Sequence, residues 1–293
     1  MFREGLLRGK NILVTGGGTG LGRAIAEKYA ELGAHLWLCG RRGGVVEEAA
    51  RAIAARYGVE ARAHAVDIRD AAAVSAMLDH IWAESGPLTG LVNNAAGNFI
   101  CPTQDLSPNG FNAIANTVFH GTFYVTHAAG KRWIAEGRPA SVVSILVTWI
   151  WTGSPYVVPS AMSKAGVHVM TKSLAVEWGK HGIRLNAIAP GAFPTEGAAL
   201  RLVPGGRFED RAHLNPMRRV GRIEELQNLA VFLMADGCEW LTGQTIALDG
   251  AGALATGAGA YFTELDALGE ADWQRLRAMI REANEKDRAR RTV

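Results

Sequence analysis

The stretch NILVTGGGTGLG, residues 11–22, decides the fold class of this chain. Its first part, NILVTG (11–16), is a short aliphatic run of the kind that forms a buried strand. A glycine-rich segment follows. Apolar residues then recur at the spacing of one helical face, at Leu21, Ile25, Tyr29 and Leu32. A strand, a glycine-rich turn and a helix in this order predict a nucleotide-binding βα unit.

The alternation of strand and helix continues along the chain. Six more short β-rich runs are predicted as strands, at 35–40, 61–68, 88–97, 141–147, 184–191 and 244–250. Helical stretches separate them and include 47–58, 71–86, 110–135 and 160–180. Because parallel strands need a crossover to bring the chain back, this rhythm predicts an α/β fold with a doubly wound, seven-stranded parallel sheet and helices on both faces. Ligands of such sheets bind beyond the carboxyl ends of the strands.

One domain is predicted over residues 1–250, followed by an extension. Residues 192–218 interrupt the rhythm with prolines and glycines, which is typical of a lid or substrate-binding loop. Residues 251–293 begin with a Gly- and Ala-rich segment and continue into an amphipathic helix, with Trp273, Leu276, Met279 and Ile280 on one face. We expect this helical extension to pack on the same domain or on a neighbouring subunit.

The composition is that of an ordinary globular protein. Of 293 residues, 48% are hydrophobic and 20% are charged, and 31 basic against 28 acidic residues leave a net charge of +3. So small an excess does not favour nucleic acid, although it suits anionic small molecules. No apolar run approaches the roughly 20 residues of a membrane span, and we expect no signal peptide and no peroxisomal address, hence a cytoplasmic location. Three widely spaced cysteines lack metal or disulfide spacing, and no metal site is predicted.

The glycine-rich turn is the first predicted part of a dinucleotide site. Gly16, Gly20 and Gly22 fit the pattern T-G-x-x-x-G-x-G, in which glycine lets the backbone approach a pyrophosphate closely. The N-terminus of the following helix offers free N–H groups and a positive dipole end to the phosphates. The residues predicted to contact the cofactor here are Thr15, Gly16, Gly18, Thr19, Gly20 and Leu21.

Residues after the second strand indicate which dinucleotide binds. An acidic residue there would bind the ribose 2′-hydroxyl, but the chain has Arg41 and Arg42. Guanidinium groups suit a 2′-phosphate, so NADP(H) is predicted; the alternative is two exposed arginines on a loop. Asp67 is predicted to accept from the adenine amino group, and Asn94 to satisfy backbone groups in a turn near the ribose. The other predicted cofactor contacts are Ile68, Ala95, Ala96, Gly97, Lys164, Pro190, Gly191 and Phe193.

Four motifs together resemble the short-chain dehydrogenase/reductase family. They are Thr15–Gly22, Asn93–Gly97, the helix that carries Lys164, and Pro190–Gly191. The resemblance implies a Rossmann-type fold, an NAD(P)-dependent oxidoreductase, and a role for Lys164 in holding the nicotinamide ribose hydroxyls. The family's acid, a Tyr, is replaced here by Ser160, and its usual supporting Ser and helix Asn by Val147 and Val118.

Further segments resemble the 2,4-dienoyl-CoA reductases, which also carry Ser at the position of Ser160. The matching segments are NNAAGNF (93–99), LSPN (106–109), VVPSA (157–161), KAG (164–166) and SLAVEWGKHG (173–182). This resemblance implies an NADPH-dependent reductase of acyl-CoA thioesters in fatty acid β-oxidation, assembled as a homotetramer through helices 110–135 and 160–180. It implies that Asn98 is an oxyanion donor, and Trp149 stands where that subfamily has its second donor, a Tyr. The implied substrate contacts are Phe99, Ser107, Trp149 and Arg201.

The residue types in this site suit one kind of reduction better than another. Reducing a ketone needs an acid that works near neutral pH, worth roughly 10²–10⁴ in rate, and a Ser hydroxyl is too weak for that. Reducing a conjugated dienoyl thioester instead sends hydride to the far alkene carbon and gathers negative charge on the thioester oxygen. Hydrogen-bond donors stabilise that oxygen, and water can later protonate carbon. Asn98 is the main predicted donor, with Ser160 in support.

Two residues compete as the second donor, and three functions remain open. Trp149 offers an indole N–H, and Tyr156 a phenol one turn or more before Ser160; each is otherwise a wall residue of the substrate pocket. The first hypothesis is a reductase of conjugated acyl thioesters. The second is a carbonyl or alcohol oxidoreductase whose acid has moved to Tyr156, and the third is a catalytically inactive NADP-binding protein. His168, one turn after Lys164, is predicted to be a packing residue.

Overall fold

The computed structural model describes residues 1–195, 202–203, 207–255 and 265–291. The chain divides into two units, Met1–Ala253 and Leu254–Val293. The first unit holds the sheet, whose strands are β1 Asn11–Thr15, β2 His35–Gly40, β3 Ala61–Ala65, β4 Gly90–Asn93, β5 Ala140–Ile145, β6 Ile183–Pro190 and β7 Thr245–Leu248. Neighbouring strands are all parallel, in the order β3-β2-β1-β4-β5-β6-β7. The predicted seven-stranded parallel sheet is confirmed.

Helices connect the strands and follow the predicted rhythm. They are α1 Gly20–Glu31, α2 Gly43–Tyr57, α3 Ala71–Ser85, α4 Pro108–Ala115, α5 Thr122–Ala135, α6 Trp149–Thr152, α7 Val158–Trp178 and α8 Ile223–Met234, with α9 Glu270–Arg291 in the second unit. A π-helical segment, Asn116–Gly121, joins α4 to α5. Short 3₁₀ turns lie at Thr103–Asp105, Gly179–His181 and Phe208–Leu214. Within the described ranges, no helix combines the length and the apolar character needed to cross a membrane.

Strand side chains alternate between two cores, one on each face of the sheet. On β1, Ile12 and Val14 belong to one buried cluster and Leu13 to the other. The first cluster is completed by α1, α2 and α8, and the second by α3, α5 and α7. One large aromatic side chain in each core makes a hydrogen bond through its polar group. The Tyr29 hydroxyl donates to the Ala230 carbonyl at 3.0 Å, and the Trp133 indole N–H donates to the Leu88 carbonyl at 2.7 Å.

The strand order reverses beside β1 and thereby creates a crevice. β2 and β3 lie on one side of β1, and β4 to β7 lie on the other. The connections that follow β1 and β4 therefore run in opposite directions and leave a crevice between them. Doubly wound sheets bind their ligands in this crevice. The predicted Rossmann-type, doubly wound fold is confirmed, and the predicted site residues on the described elements all follow carboxyl ends of its strands or lie on α7 and α4.

The third strand differs from the prediction, and the C-terminal helix agrees with it. The third strand ends at Ala65 rather than at Ile68, because the chain turns there toward α3, whose first turn is capped by the Asp70 carboxylate. Asp67 thus lies in a loop beyond the strand. In the second unit, α9 confirms the predicted helix, with Trp273 half-buried and Met279 exposed. The packing of the extension on the domain stays a prediction.

Candidate active site

The glycine-rich turn after β1 is tightly packed against the loop that follows β4. Gly16 and Gly20 have positive φ angles of 63° and 57°, a region that favours glycine. At Gly22, an added Cβ would lie 2.3 Å from the side-chain nitrogen of Asn94, so no larger residue fits. These glycines place no side chain of their own over the backbone of the turn that leads into α1.

Thr15 and Asn94 brace this turn against β4. The Asn94 amide donates to the carbonyl oxygens of Thr15 and Gly16 at 3.1 and 3.2 Å. The Thr15 hydroxyl in turn accepts the backbone N–H groups of Asn94 and Ala95, each at 3.0 Å. These contacts match the backbone role predicted for the Asn94 amide.

The N-terminus of α1 faces the crevice without an acidic side chain. The first turn of α1 contains no Asp or Glu, and the Thr19 side chain makes no capping hydrogen bond. Thr19 and Gly20 are both exposed. Such a helix end provides N–H donors and a positive dipole end for a phosphate. Thr195, from the segment after β6, lies 3.9 Å from the position of a Cβ on Gly20 and so covers the turn.

Two arginines follow β2 where an NAD-binding site would carry a carboxylate. Arg41 and Arg42 are exposed, and within the described part of the chain neither guanidinium pairs with a carboxylate. The Arg42 carbonyl accepts from the N–H groups of Val45 and Val46, which fixes the start of α2. Both guanidinium groups thus remain open to an anionic ligand.

Asp67 is held by an arginine that the sequence analysis did not single out. Arg69 donates through Nε at 2.9 Å and through Nη2 at 2.5 Å to the Asp67 carboxylate, and its backbone N–H adds a bond of 3.1 Å. The hydrogen bond from the Arg69 side chain lowers the pKa of Asp67, and the charges of Arg69 and Arg41 act in the same direction. Asp67 stays ionised, and its predicted contact with adenine would have to share the carboxylate with Arg69.

Lys164 is the most deeply buried charged side chain near the crevice. It lies on α7, is 7% exposed, and its Nζ donates to the carbonyl oxygen of Ile145 at the end of β5. Burial lowers the pKa of Lys164 to about 8. Ser160, one helical turn earlier, is 3% exposed, and its hydroxyl makes no hydrogen bond within the described residues. Ser160 therefore keeps its hydroxyl available to a ligand.

Asn98 lies in the loop after β4. Its side-chain carbonyl accepts the Phe99 N–H at 2.9 Å, which fixes the orientation of the amide. Asn98 is half-buried, and its NH₂ group has no acceptor within residues that the structure describes. The next residues of the loop reach the segment before α7, where the Cys101 N–H donates to the Tyr156 carbonyl at 2.9 Å. The loop that carries Asn98 is thereby tied to the segment that leads into α7 and Ser160.

The two candidates for the second donor differ in exposure. Trp149 is half-buried at the start of the single turn α6, directly beyond β5. Tyr156 is 59% exposed and has a φ of 64°, which is unusual for a residue with a Cβ. An oxyanion donor is most effective where water is excluded, so these environments favour Trp149.

The remaining predicted substrate contacts have structural partners. The Ser107 hydroxyl accepts the Gly110 N–H at 3.1 Å and so caps α4. Phe99 is half-buried, with its ring 3.4 Å from the position of a Cβ on Gly110. Arg201 lies outside the described residues.

The remaining predicted cofactor contacts divide between surface and core. Phe193 is 5% exposed, and its ring covers Gly221, so only its backbone can face a cofactor. Ile68 is also 5% exposed and packs against Gly121 of the π-helical segment. Gly191 bonds through its N–H to Leu248 of β7 at 3.0 Å. The other predicted cofactor contacts differ in solvent exposure. Gly18 and Pro190 are buried, Leu21, Ala95 and Gly97 are half-buried, and Ala96 is exposed.

Comparison with known proteins shows which family this chain resembles. A family model described as enoyl-(acyl carrier protein) reductase matches residues 16–252. The chain is 45% identical to a probable 2,4-dienoyl-CoA reductase 3 of Caenorhabditis elegans, named as (3E)-enoyl-CoA-producing, over 85% of this chain and 82% of that protein. It is 40% identical to a probable 2,4-dienoyl-CoA reductase of Bacillus subtilis (strain 168), named as (2E)-enoyl-CoA-producing, over 82% of this chain and 95% of that protein.

This chain belongs to the short-chain dehydrogenase/reductase family. Solved structures agree: a short-chain dehydrogenase from Bacillus anthracis is 37% identical, with a TM-score of 0.75 over 84% of this chain and 97% of that one. A gluconate 5-dehydrogenase from Burkholderia cenocepacia J2315, in complex with NADP and tartrate, is 30% identical, with a TM-score of 0.80 over 85% of this chain and 97% of that one. As a member of this family the protein is an oxidoreductase.

Within the short-chain dehydrogenase/reductase family, this member departs at the acid position. Ser160 stands where the family's Tyr would be, and Val118 and Val147 replace two further polar residues of the usual set. The structure keeps Lys164 buried behind that position. Across the described residues, no group of three or more His, Cys, Asp or Glu side chains is arranged to hold a metal ion. Among the polar side chains discussed for this part of the crevice, Lys164, Ser160 and Asn98 can each donate a hydrogen bond.

Proposed function

We propose that this oxidoreductase reduces conjugated acyl-CoA thioesters with NADPH, in the manner of a 2,4-dienoyl-CoA reductase. One observation carries the proposal: the Asn98 amide is oriented by its own loop with its NH₂ group open, while the acid position holds Ser160. A site with oriented hydrogen-bond donors and a Ser in place of the acid suits a reaction that places negative charge on oxygen. Relatives of this chain are named for that reaction.

The residues around the turn fit a phosphorylated dinucleotide. Gly16 and Gly22 let the turn pack closely against Asn94, and the N-terminus of α1 supplies free N–H groups for the pyrophosphate. Arg41 and Arg42 can receive the 2′-phosphate, which distinguishes NADPH from NADH. Bound NADPH supplies the hydride that reduces the diene. We assign Lys164 to the ribose hydroxyls, since a buried ammonium carries three donors in a fixed place.

Asn98 and Trp149 are proposed to stabilise the thioester oxygen as negative charge gathers on it. Asn98 donates through its amide, and Trp149 through an indole N–H that has no acceptor within the described ranges. Removing one such donor typically costs about 3–4 kcal/mol in transition-state stabilisation. The Ser160 hydroxyl supports them, and the positive charge of Lys164 favours the same anionic state.

The single proton that completes the reduction after hydride transfer comes from water in this proposal. Ser and Trp side chains do not release a proton near neutral pH, and so neither Ser160 nor Trp149 can act as the acid. In the extended enolate that follows hydride addition, the carbon beside the thioester carries the most negative charge among the carbons and is protonated first. Protonation there leaves the double bond between carbons 3 and 4, so we expect a (3E)-enoyl-CoA product.

The two rival functions are less well supported by the site. A relocated acid at Tyr156 would sit on a 59% exposed side chain, where water competes for every hydrogen bond. An inactive NADP-binding protein would need the nucleotide turn and Lys164, but it would not need an oriented Asn98 amide.

We propose that the protein assembles as a homotetramer through the helices that the sequence predicted for this interface. Helices α5 and α7, with the π-helical segment, expose large apolar side chains: Phe119, Phe123, Met162, Val169 and Val176. A row of this kind on a globular protein typically marks an interface. Light scattering of the purified protein tests this, and replacement of the 86% exposed Val176 by Lys should weaken the assembly. A monomer at micromolar concentration would overturn the proposal.

A panel of substrates tests the proposed activity. Purified protein and NADPH are combined with a medium-chain trans-2,trans-4-dienoyl-CoA, with the matching trans-2-enoyl-CoA and 3-ketoacyl-CoA, and with simple ketones. We expect oxidation of NADPH with the dienoyl-CoA and a (3E)-enoyl-CoA as the product. Reduction of a ketone in preference to the diene would favour the relocated-acid function instead.

A further inference from the structure

The single-turn helix α6 carries two tryptophans, and one of them contacts α7. Trp151 meets His168 with ring centroids 6.1 Å apart and planes at 77°, an edge-to-face arrangement. Such aromatic contacts have a preferred geometry and contribute beyond simple burial. Trp151 is otherwise 47% exposed, so His168 provides its oriented contact.

His168 is itself fixed by the last strand of the sheet. Its Nδ1 lies 2.8 Å from the Thr245 hydroxyl, at the start of β7. Burial lowers the pKa of His168, and the neighbouring charge of Lys172 acts in the same direction. A neutral imidazole bonded to Thr245 has a fixed ring plane. This is more than the packing role that the sequence predicted for His168.

The other contacts of α6 include aliphatic packing and backbone bonds within the local chain, from Ile150 to Val147 and from Trp151 to Thr148. Ile150 packs against the buried aliphatic residues Leu146, Val167, Ala187 and Ala189. Gly153, with a φ of 69°, ends the turn, and the backbone bond from its N–H to the Trp149 carbonyl is local. No side chain from another described element donates a hydrogen bond to α6. Aliphatic contacts are non-directional, so within the described residues the ring contact with His168 is the directional side-chain contact between α6 and another element.

We propose that His168 is a positioning residue, which fixes Trp151 and thereby aims the Trp149 indole N–H at the substrate oxygen. The two tryptophans share one helical turn of four residues, so a rotation that displaces one displaces the other. Small displacements of a donor reduce catalysis strongly because oxyanion stabilisation depends on distance and direction. This inference rests on the proposed function of Trp149.

A double-mutant cycle combined with hydrogen exchange tests the proposal. His168→Ala should lower kcat roughly 10- to 100-fold while the Kd for NADPH stays unchanged. In a Trp149→Phe background the same change should alter kcat by less than about twofold, because the group being positioned is already gone. Losses that multiply would overturn the proposal, since they would show that His168 does not act through Trp149.

Exchange of backbone amides provides a readout that needs no turnover. His168→Ala should speed exchange in the peptide covering 147–153 and leave residues 11–40 unchanged. Unchanged exchange at 147–153 overturns the positioning role, whatever the activity. If the wild-type protein reduces no dienoyl-CoA, the proposed function fails, and exchange alone then decides whether His168 fixes α6.

Conservative variants separate the two contacts of His168. His168→Phe keeps a ring against Trp151 and loses the bond to Thr245, whereas His168→Asn keeps a polar atom for Thr245 and loses the ring. We expect the Phe variant to retain more of kcat than the Ala variant, and Thr245→Ser to retain more than Thr245→Val. His181→Ala, in the turn after α7, is the matched control and should leave both readouts unchanged. Equal activities of the Phe and Ala variants would contradict a role for the ring.

Discussion

The backbone N–H of Cys101 donates to the carbonyl oxygen of Tyr156 over 2.9 Å, and this bond joins the loop of Asn98 to the segment before Ser160. It also holds Tyr156 in a left-handed conformation, with φ at 64° and the side chain 59% exposed. The backbone of Tyr156 thus has a structural role, whereas its side chain is largely open to solvent.

Tyr156→Phe should therefore leave dienoyl-CoA reduction within about twofold of wild type, because the phenol is not a donor in the proposed reaction. The backbone bond to Cys101 survives this change, so the fold should be unaffected. Steady-state kcat and KM with a dienoyl-CoA provide the measurement. Abolished activity would show that the acid has moved to Tyr156.

Asn98→Asp should cost roughly 10²–10³ in kcat. The new carboxylate can still accept the Phe99 N–H, so the loop is preserved, but an oxygen replaces the donating NH₂ group. NADPH affinity should stay the same, since this amide is proposed to face the substrate. A variant with nearly full kcat would remove Asn98 from the oxyanion site.

Replacing Arg41 and Arg42 together by Ala should weaken NADPH binding at least about tenfold and leave NADH binding nearly unchanged. The reason is that only NADPH carries the 2′-phosphate. Titration of each cofactor at two salt concentrations gives the comparison, and the salt dependence should shrink with the arginines gone. Arg51→Ala, an exposed arginine on α2, is the matched control. Equal losses for NADPH and NADH would contradict a 2′-phosphate site.

Lys164→Met should weaken NADPH binding and yet stabilise the protein without cofactor at pH 7. The pKa of Lys164 falls from 10.5 to about 8 on burial, so the folded state binds fewer protons than the unfolded state between these values. The unfolding free energy of the wild type therefore rises with pH through this window, and below pH 8 the full penalty, on the order of 3 kcal/mol, is present. Thermal unfolding from pH 7 to 10.5 should show the advantage of the Met variant shrinking as pH rises. A pH-independent difference between the two proteins would contradict the assigned burial effect.

The sequence predicted the sheet well because its signals are local and repeated. Aliphatic runs such as 11–16, separated by helical periodicity, reflect burial on both faces, and the observed strands lie within a few residues of the predicted ones. The turn at Gly16 and Gly22 was predictable for a similar reason, since only glycine leaves the space that the backbone needs there.

The site was only partly predictable because several contacts join residues far apart in the chain. The bond between His168 and Thr245 links positions 77 residues apart, and nothing in either local sequence signals it. The pairing of Arg69 with Asp67 depends on a loop conformation that begins where β3 ends early. Thr195 had one usable signal, its place shortly after Pro190 and Gly191, at the carboxyl end of β6.

The most direct test of the account is a single cuvette containing purified protein, NADPH and a medium-chain trans-2,trans-4-dienoyl-CoA. The absorbance of the cofactor and that of the diene are followed together. We predict that NADPH and the diene are consumed at the same rate and in equal molar amounts. The Asn98→Asp variant should slow the consumption of both. Binding of NADPH with no loss of either absorbance would contradict the assignment of this site to the reduction of conjugated acyl thioesters.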